Sequence, residues 1–152
     1  MVRALALAAL PLALLTGAAP AQPARDAYDL LTRQAAPVAW AAEVTATAAG
    51  WRIAYPRPEG PACPLPGPLV LPQGRAAPVM LRSEDPDALH DWRVPGLGLS
   101  TTAIPGRVAT IAIPAAATGD FPGEAGSPAI RVMPPADYAG WRDSVLRPAC
   151  PP

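Results

Sequence analysis

His90 is the only histidine in the chain, and Cys63 and Cys150 are the only cysteines. Those side chains bound the available chemistry. A metal site or an acid–base mechanism that draws two imidazoles from one chain is excluded. The thiols stand 87 residues apart, which is not the spacing of a metal-ligand pair. Each lies in rigid, proline-flanked sequence, Pro61-Ala62-Cys63-Pro64 and Pro148-Ala149-Cys150-Pro151. In an exported chain such a pair most often closes a disulfide, here one tying the C-terminal tail to a loop. Metal or redox thiols, and unpaired thiols, are the alternatives. Around His90 stand the carboxylates Glu84, Asp85, Asp87 and Asp91, followed by Trp92. They read either as a docking patch for a cationic partner or as a solvated loop beside packed indoles, Trp92 and Trp51. His90 reads either as a metal ligand or as an imidazole packed and hydrogen-bonded under the loop.

The elements that must position these residues are short. Val44, Ala46 and Ala48, then Trp51, Ile53 and Tyr55, alternate as one or two strands up to Pro56. Residues 56–68 are proline-rich and read as a loop. Leu69–Leu71 and Val79–Arg82 are short strands, and Ser83–His90 is an acidic loop. Val94–Thr102 and Arg107–Ile113 are strand candidates flanking a Pro105-Gly106 turn. Thr118–Pro128 reads as a Gly/Pro-rich loop and Ala129–Met133 as a strand. A final helix follows Pro134-Pro135, with Asp137 in its first turn. Tyr138, Trp141, Val145 and Leu146 would share its apolar face, and Pro148 would end it. Gly140 weakens it by about 1 kcal/mol relative to Ala.

The chain has 152 residues, of which 23 are Pro and 12 Gly, so long helices and central strands are broken and a helical bundle is excluded. Apolar residues make up 51%, enough for a core, and short strands with one terminal helix describe a small β-sandwich or barrel. Twelve basic residues, all Arg, balance twelve acidic ones, which argues against a nucleic-acid binder. Arg3, the apolar run Ala4–Leu15 and Ala19-Pro20-Ala21 read as a signal peptide over residues 1–21, cut before Gln22. An uncleaved anchor is the rival, but the run is shorter than the ~20 residues that span a bilayer, and Pro11 interrupts it. Residues 22–42 form a helical or linker segment with a short helix over Asp26–Ala36. The domain proper is expected over residues 43–147, and residues 148–152 are a proline-rich tail.

Further along, Ser83-Glu84-Asp85, then His90-Asp91-Trp92-Arg93-Val94-Pro95 and Ala103-Ile104-Pro105-Gly106-Arg107, form one ordered run. It resembles the periplasmic copper domain of cytochrome c oxidase subunit II. Leu69-Val70-Leu71-Pro72-Gln73-Gly74-Arg75 is similar to that family's LVLPVGRPV strand pair. Trp51-Arg52-Ile53-Ala54-Tyr55-Pro56 is similar to its aromatic strand, and Met133-Pro134-Pro135-Ala136-Asp137-Tyr138-Ala139-Gly140-Trp141 to its last helix. The resemblance spans roughly residues 43–146 and implies a cupredoxin-like Greek-key β-sandwich, all-β with a short C-terminal helix.

The family's dinuclear copper centre is built from two bridging cysteine thiolates, two histidines, a methionine and a backbone carbonyl, a set whose softness suits copper. His90 matches the first histidine. The later loop that carries the other side-chain ligands is replaced by Gly119–Met133, with Glu124 where the family has Gln and Ala125 where it has the first Cys. The second Cys, the His and the Met have no counterpart, and neither Cys63 nor Cys150 stands where it could substitute. The family's electron-entry Trp falls on Ala49. The resemblance therefore implies a copper-free, periplasmic relative that binds no cofactor and serves as a binding or structural module. Oxidase subunits or another periplasmic protein would be its partners, with no membrane span after leader removal. An electron-transfer subunit with copper, and a copper carrier using His90 with Met80 or Met133, are the alternatives.

Overall fold

The computed structural model describes residues 40–150. The expected leader over residues 1–21, the Asp26–Ala36 helix, nearly all of the 22–42 segment and Pro151-Pro152 lie outside the described residues. The alternating apolar residues form β1 (Ala42–Thr47) and β2 (Gly50–Tyr55), an antiparallel hairpin in which the Thr47 hydroxyl donates to the Gly50 carbonyl at 2.9 Å. They are followed by β3 (Cys63–Pro64), β4 (Leu69–Pro72), β5 (Ala77–Ser83), β6 (His90–Val94) and β7 (Leu99–Ala103). The last strands are β8 (Val108–Ile113), β9 (Gly119–Phe121) and β10 (Ile130–Met133).

Three sheets result: five strands in the order β3-β2-β1-β5-β8, three in the order β4-β10-β9, and the pair β6-β7. β1 lies parallel to β5 and β4 parallel to β10, because the chain crosses between sheets before returning. Val44, Ile53 and Leu81 of the first sheet, Leu71 and Ile130 of the second, and Trp92 of the third meet in one core. Tyr55 pins two sheets together. It is 2% exposed, and its hydroxyl oxygen accepts the Val70 N–H of β4 at 2.8 Å. Burial pushes its pKa up to about 12.

Four local expectations are corrected. Val94–Thr102 is not one strand. Pro95 has no N–H for a ladder, so the chain makes a 3₁₀ turn over Pro95–Leu97, closed by Gly98 at φ 63°. The β6-β7 hairpin therefore pairs His90 with Ala103 and Val94 with Leu99. Thr118–Pro128 is not all loop, since Phe121 packs on the core and carries β9 onto β10. Residues 56–68 contain the two-residue β3, paired with Ala54–Tyr55. Pro148 does not end the last helix. Pro135–Trp141 is α-helical, Arg142–Leu146 forms a π turn, and Arg147–Ala149 resumes the α-helix with Pro148 in its first turn. One extra residue in the π turn shifts the phase, so Leu146 meets the core while Val145 is 43% exposed.

Trp141 lies edge-on to Tyr55, with centroids 5.2 Å apart, and fixes the helix to β2. Cys63 and Cys150 are bonded to each other, with Cα atoms 5.8 Å apart, and fasten the helix end to β3. Closing so long a loop restricts the unfolded chain, by about 4–5 kcal/mol in the chain-entropy model. Denatured, unreduced protein should therefore expose no reactive thiol. The variant Cys63→Ser/Cys150→Ser should lose about 2–5 kcal/mol in urea unfolding. Two thiols per wild-type chain, or an unchanged unfolding midpoint, would contradict this.

Candidate functional site

His90 is the first residue of β6, not part of the preceding loop. Its Nε2–H donates to Asp85 Oδ2 at 2.8 Å. The other oxygen of that carboxylate accepts the Asp87 N–H at 3.0 Å. Ser83 completes the turn: its hydroxyl oxygen accepts the Asp85 N–H at 3.2 Å. The acidic loop is thus folded around its own carboxylate. The Asp87 N–H, and after it His90, hold the Asp85 carboxyl below the usual range. Trp51 presents a T-shaped contact to the imidazole, with centroids 6.0 Å apart, and lies 6.0 Å from Trp92.

A carboxylate on one imidazole nitrogen is how metal sites orient a histidine. The rest of such a site is not assembled. Among the described residues no three His, Cys, Asp or Glu side chains form a group able to hold a metal ion. Cys63 and Cys150 are spent on each other. Met80 lies on β5 between Glu43 and Thr110, and Met133 is the last residue of β10, beside Pro72. Neither shares a sheet with His90.

The segment 122–128 folds onto β6. Trp92 Nε1–H donates to the Pro128 carbonyl at 3.0 Å, and the Glu124 N–H to the Arg93 carbonyl at 2.9 Å. The Ser127 hydroxyl accepts the Arg93 N–H at 3.2 Å and donates to the Asp91 carbonyl at 3.1 Å. The turn is tight. Ala125 sits at φ 50°, and a Cβ on Gly123 would stand 2.2 Å from the Ser127 carbonyl oxygen. Ser127 is a structural residue that the sequence did not single out. A serine beside a proline in a Gly-rich stretch carries no periodic signal.

The expected docking patch is rearranged. Trp92 is 0% exposed, so it is core and not contact surface: its ring fills the space among the three sheets. Asp85 is buried at 8% exposure. Glu84 accepts from Arg52 and Arg82, both at 2.7 Å, and Arg82 also pairs with Glu43. Asp91 pairs with Arg93 at 2.9 Å and accepts the Thr102 hydroxyl at 2.8 Å. Only Asp87 of the four is exposed and without a cationic partner among the described residues.

Glu84, Asp85 and Asp91 are all held below ordinary carboxylate values, chiefly by Arg52, by the Asp87 N–H and by the Thr102 hydroxyl respectively. A lowered native pKa contributes stability above the unfolded value, near 4, which is lost as pH falls toward the native value. Amide protection factors over residues 84–93, corrected for the intrinsic exchange rate, should therefore fall selectively below about pH 4. Asp85→Asn should bring part of that loosening to neutral pH and flatten the acid response. Equal protection factors at pH 3 and pH 6 would refute the assignment. Ser127→Ala leaves the Arg93 N–H without its acceptor and should cost about 1–3 kcal/mol in urea unfolding.

The family model "Cytochrome C oxidase subunit II, periplasmic domain" matches residues 65–128. The cytochrome c oxidase subunits 2 of Branchiostoma floridae and Branchiostoma lanceolatum are each 30% identical over 88 residues, 51% of this chain. The chain spans just over a third of the length of these relatives, 37% and 36%. The solved periplasmic domain of subunit II (CoxB) of Bradyrhizobium japonicum superposes with TM-score 0.54 at 22% identity, over 72% of this chain and 94% of that one. A subunit II domain captured as a mixed disulfide with the thioredoxin-like TlpA superposes with TM-score 0.52 at 22% identity, over 70% and 91%. These structures establish the cupredoxin-like fold. No helix among the described residues is long and apolar enough to cross a membrane. Over residues 65–128 the chain is similar to the family of cytochrome c oxidase subunit II periplasmic domains, and it shares their fold.

Proposed function

We propose that this chain is an exported, copper-free member of its family, acting as a binding or structural module of a respiratory oxidase or a related periplasmic complex. The observation that carries the reading is the segment 122–128. Where the family places its ligand loop, this chain has a turn sewn to β6 through Ser127, Glu124 and Pro128. The donor set does not fit a dinuclear copper centre. Such a centre needs two bridging thiolates. The two sulfurs here form a disulfide, and Ala125 occupies the position of the first bridging cysteine. One imidazole, already holding Asp85, is left. Hydrogen bonds to β6 satisfy backbone groups of the turn without a metal, which supports the copper-free reading. The leader-like residues 1–21 support export, and the family is one of periplasmic domains.

Metal analysis of full-length protein, purified after copper reconstitution, tests this directly. The expected result is colourless protein with less than one copper per chain and no purple-centre absorption or spin-resonance signal. Two coppers per chain with those signals would overturn the proposal in favour of an electron-transfer subunit. One tightly held copper that is lost in His90→Ala would favour a copper carrier. Tagged protein isolated from membranes should bring oxidase subunits or another periplasmic partner with it.

A further inference from the structure

The π turn has a consequence away from His90. In it the Arg147 N–H donates to the carbonyl of Arg142, five residues earlier. In a regular α-helix two residues five positions apart point about 140° away from each other. The wider turn instead brings both arginines to one cleft of about 170 Å³. Arg57, from the loop after β2, is the third arginine of the lining, which includes no Asp or Glu among the described residues. The floor is apolar: the Tyr55 ring, Leu146 and the Cys150 end of the disulfide, with Pro56 and Pro58 at the rim.

The lining is held in place from several sides. Arg57 Nε–H donates to the Pro61 carbonyl at 2.9 Å. Arg147 pairs with Asp143 at 3.1 Å, an exposed contact that leaves most of its donors to other partners. The disulfide joins the helix end to β3 and so fixes the two walls relative to each other. The Tyr55 hydroxyl is occupied by Val70, so the floor offers the ring and not the oxygen. Guanidinium groups are forked donors suited to carboxylate and phosphate oxygens. Apolar floor beneath charged walls is the usual composition of a small-molecule site.

We propose that this cleft binds a small amphipathic anion, a carboxylate or phosphate group carried on a compact apolar body, with the anion between Arg142 and Arg147 and the apolar part on Tyr55 and Leu146. The inference is independent of the absence of copper at His90.

Titration of isotope-labelled full-length protein with phenyl phosphate, benzoate and inorganic phosphate tests it. Phenyl phosphate and benzoate should saturate with dissociation constants of roughly a millimolar or tighter. Their shift changes should cluster at Tyr55, Leu146 and Cys150. Inorganic phosphate, lacking the apolar body, should bind roughly tenfold more weakly. Arg142→Gln and Arg147→Gln should each weaken phenyl phosphate roughly tenfold, and Arg107→Gln, on another surface, should not. Three results would each overturn the proposal: inorganic phosphate binding as tightly as phenyl phosphate, shift changes spread over all arginines, or unchanged affinity in the Arg142 and Arg147 variants. An unaltered amide spectrum in those variants establishes that they remain folded.

Discussion

An indole removed from water must find an acceptor for its N–H, and Trp92 finds one in the carbonyl of Pro128. That bond ties the middle of β6 to the end of the segment that precedes β10. Once Trp92 is fixed, the alternation of β6 places Asp91 and Arg93 outside, with their backbones turned to Ser127 and Glu124. The turn 122–128 follows from this spacing. It has room for only one compact path, which is why Ala125 takes a positive φ and why Gly123 admits no side chain. His90 begins the same strand, so its position beside Trp51 is set by the burial of Trp92 two residues later.

The carboxylates near His90 show how a charge cluster in sequence can dissolve in space. Glu84 lies at the end of a ladder of opposite charges across β1, β2 and β5, with Arg52, Arg82 and Glu43. Asp85 turns inward and organises its own loop. Asp91 faces Thr102 across the β6-β7 pair. Each has a partner that the linear sequence puts ten or more residues away or hides in the backbone. A cluster of like charges would repel itself. This segment is stable because its charges point in different directions and each meets a donor.

The strands legible in the sequence were those with a two-residue period and large apolar side chains: β1, β2, β4, β5, β8 and β10. Their inward positions, such as Val44, Ile53, Leu71 and Leu81, are core positions. Legibility failed where backbone chemistry overrode side-chain pattern. Pro95 cut an apparently continuous strand, and Phe121 made a strand of a stretch otherwise composed like a loop. At the site, the order of motifs around His90 pointed to the family. Trp92 read either as packed core or as docking surface because charged neighbours surround it in sequence, and in the strand those neighbours point the opposite way. Ser127 was invisible because its two partners lie more than thirty residues away.

The last helix joins these themes. A straight α-helix from Pro135 would put Val145 on the face that Trp141 begins. The extra residue of the π turn rotates everything after it by about 100°, so Leu146 takes that place. The same rotation carries the chain end round, so that Cys150 meets Cys63, and it moves Pro148 into the first turn of a new segment where its missing N–H is tolerated. Three features that look unrelated in sequence, an exposed valine, a proline inside a helix and a distant cysteine pair, thus have one geometric cause. It also brings Arg142 and Arg147 to one cleft. The helix is therefore held by contacts on both sides of its irregular turn, Trp141 on Tyr55 before it and Cys150 on Cys63 after it. An unfavourable turn persists only where the surrounding structure fixes both of its ends.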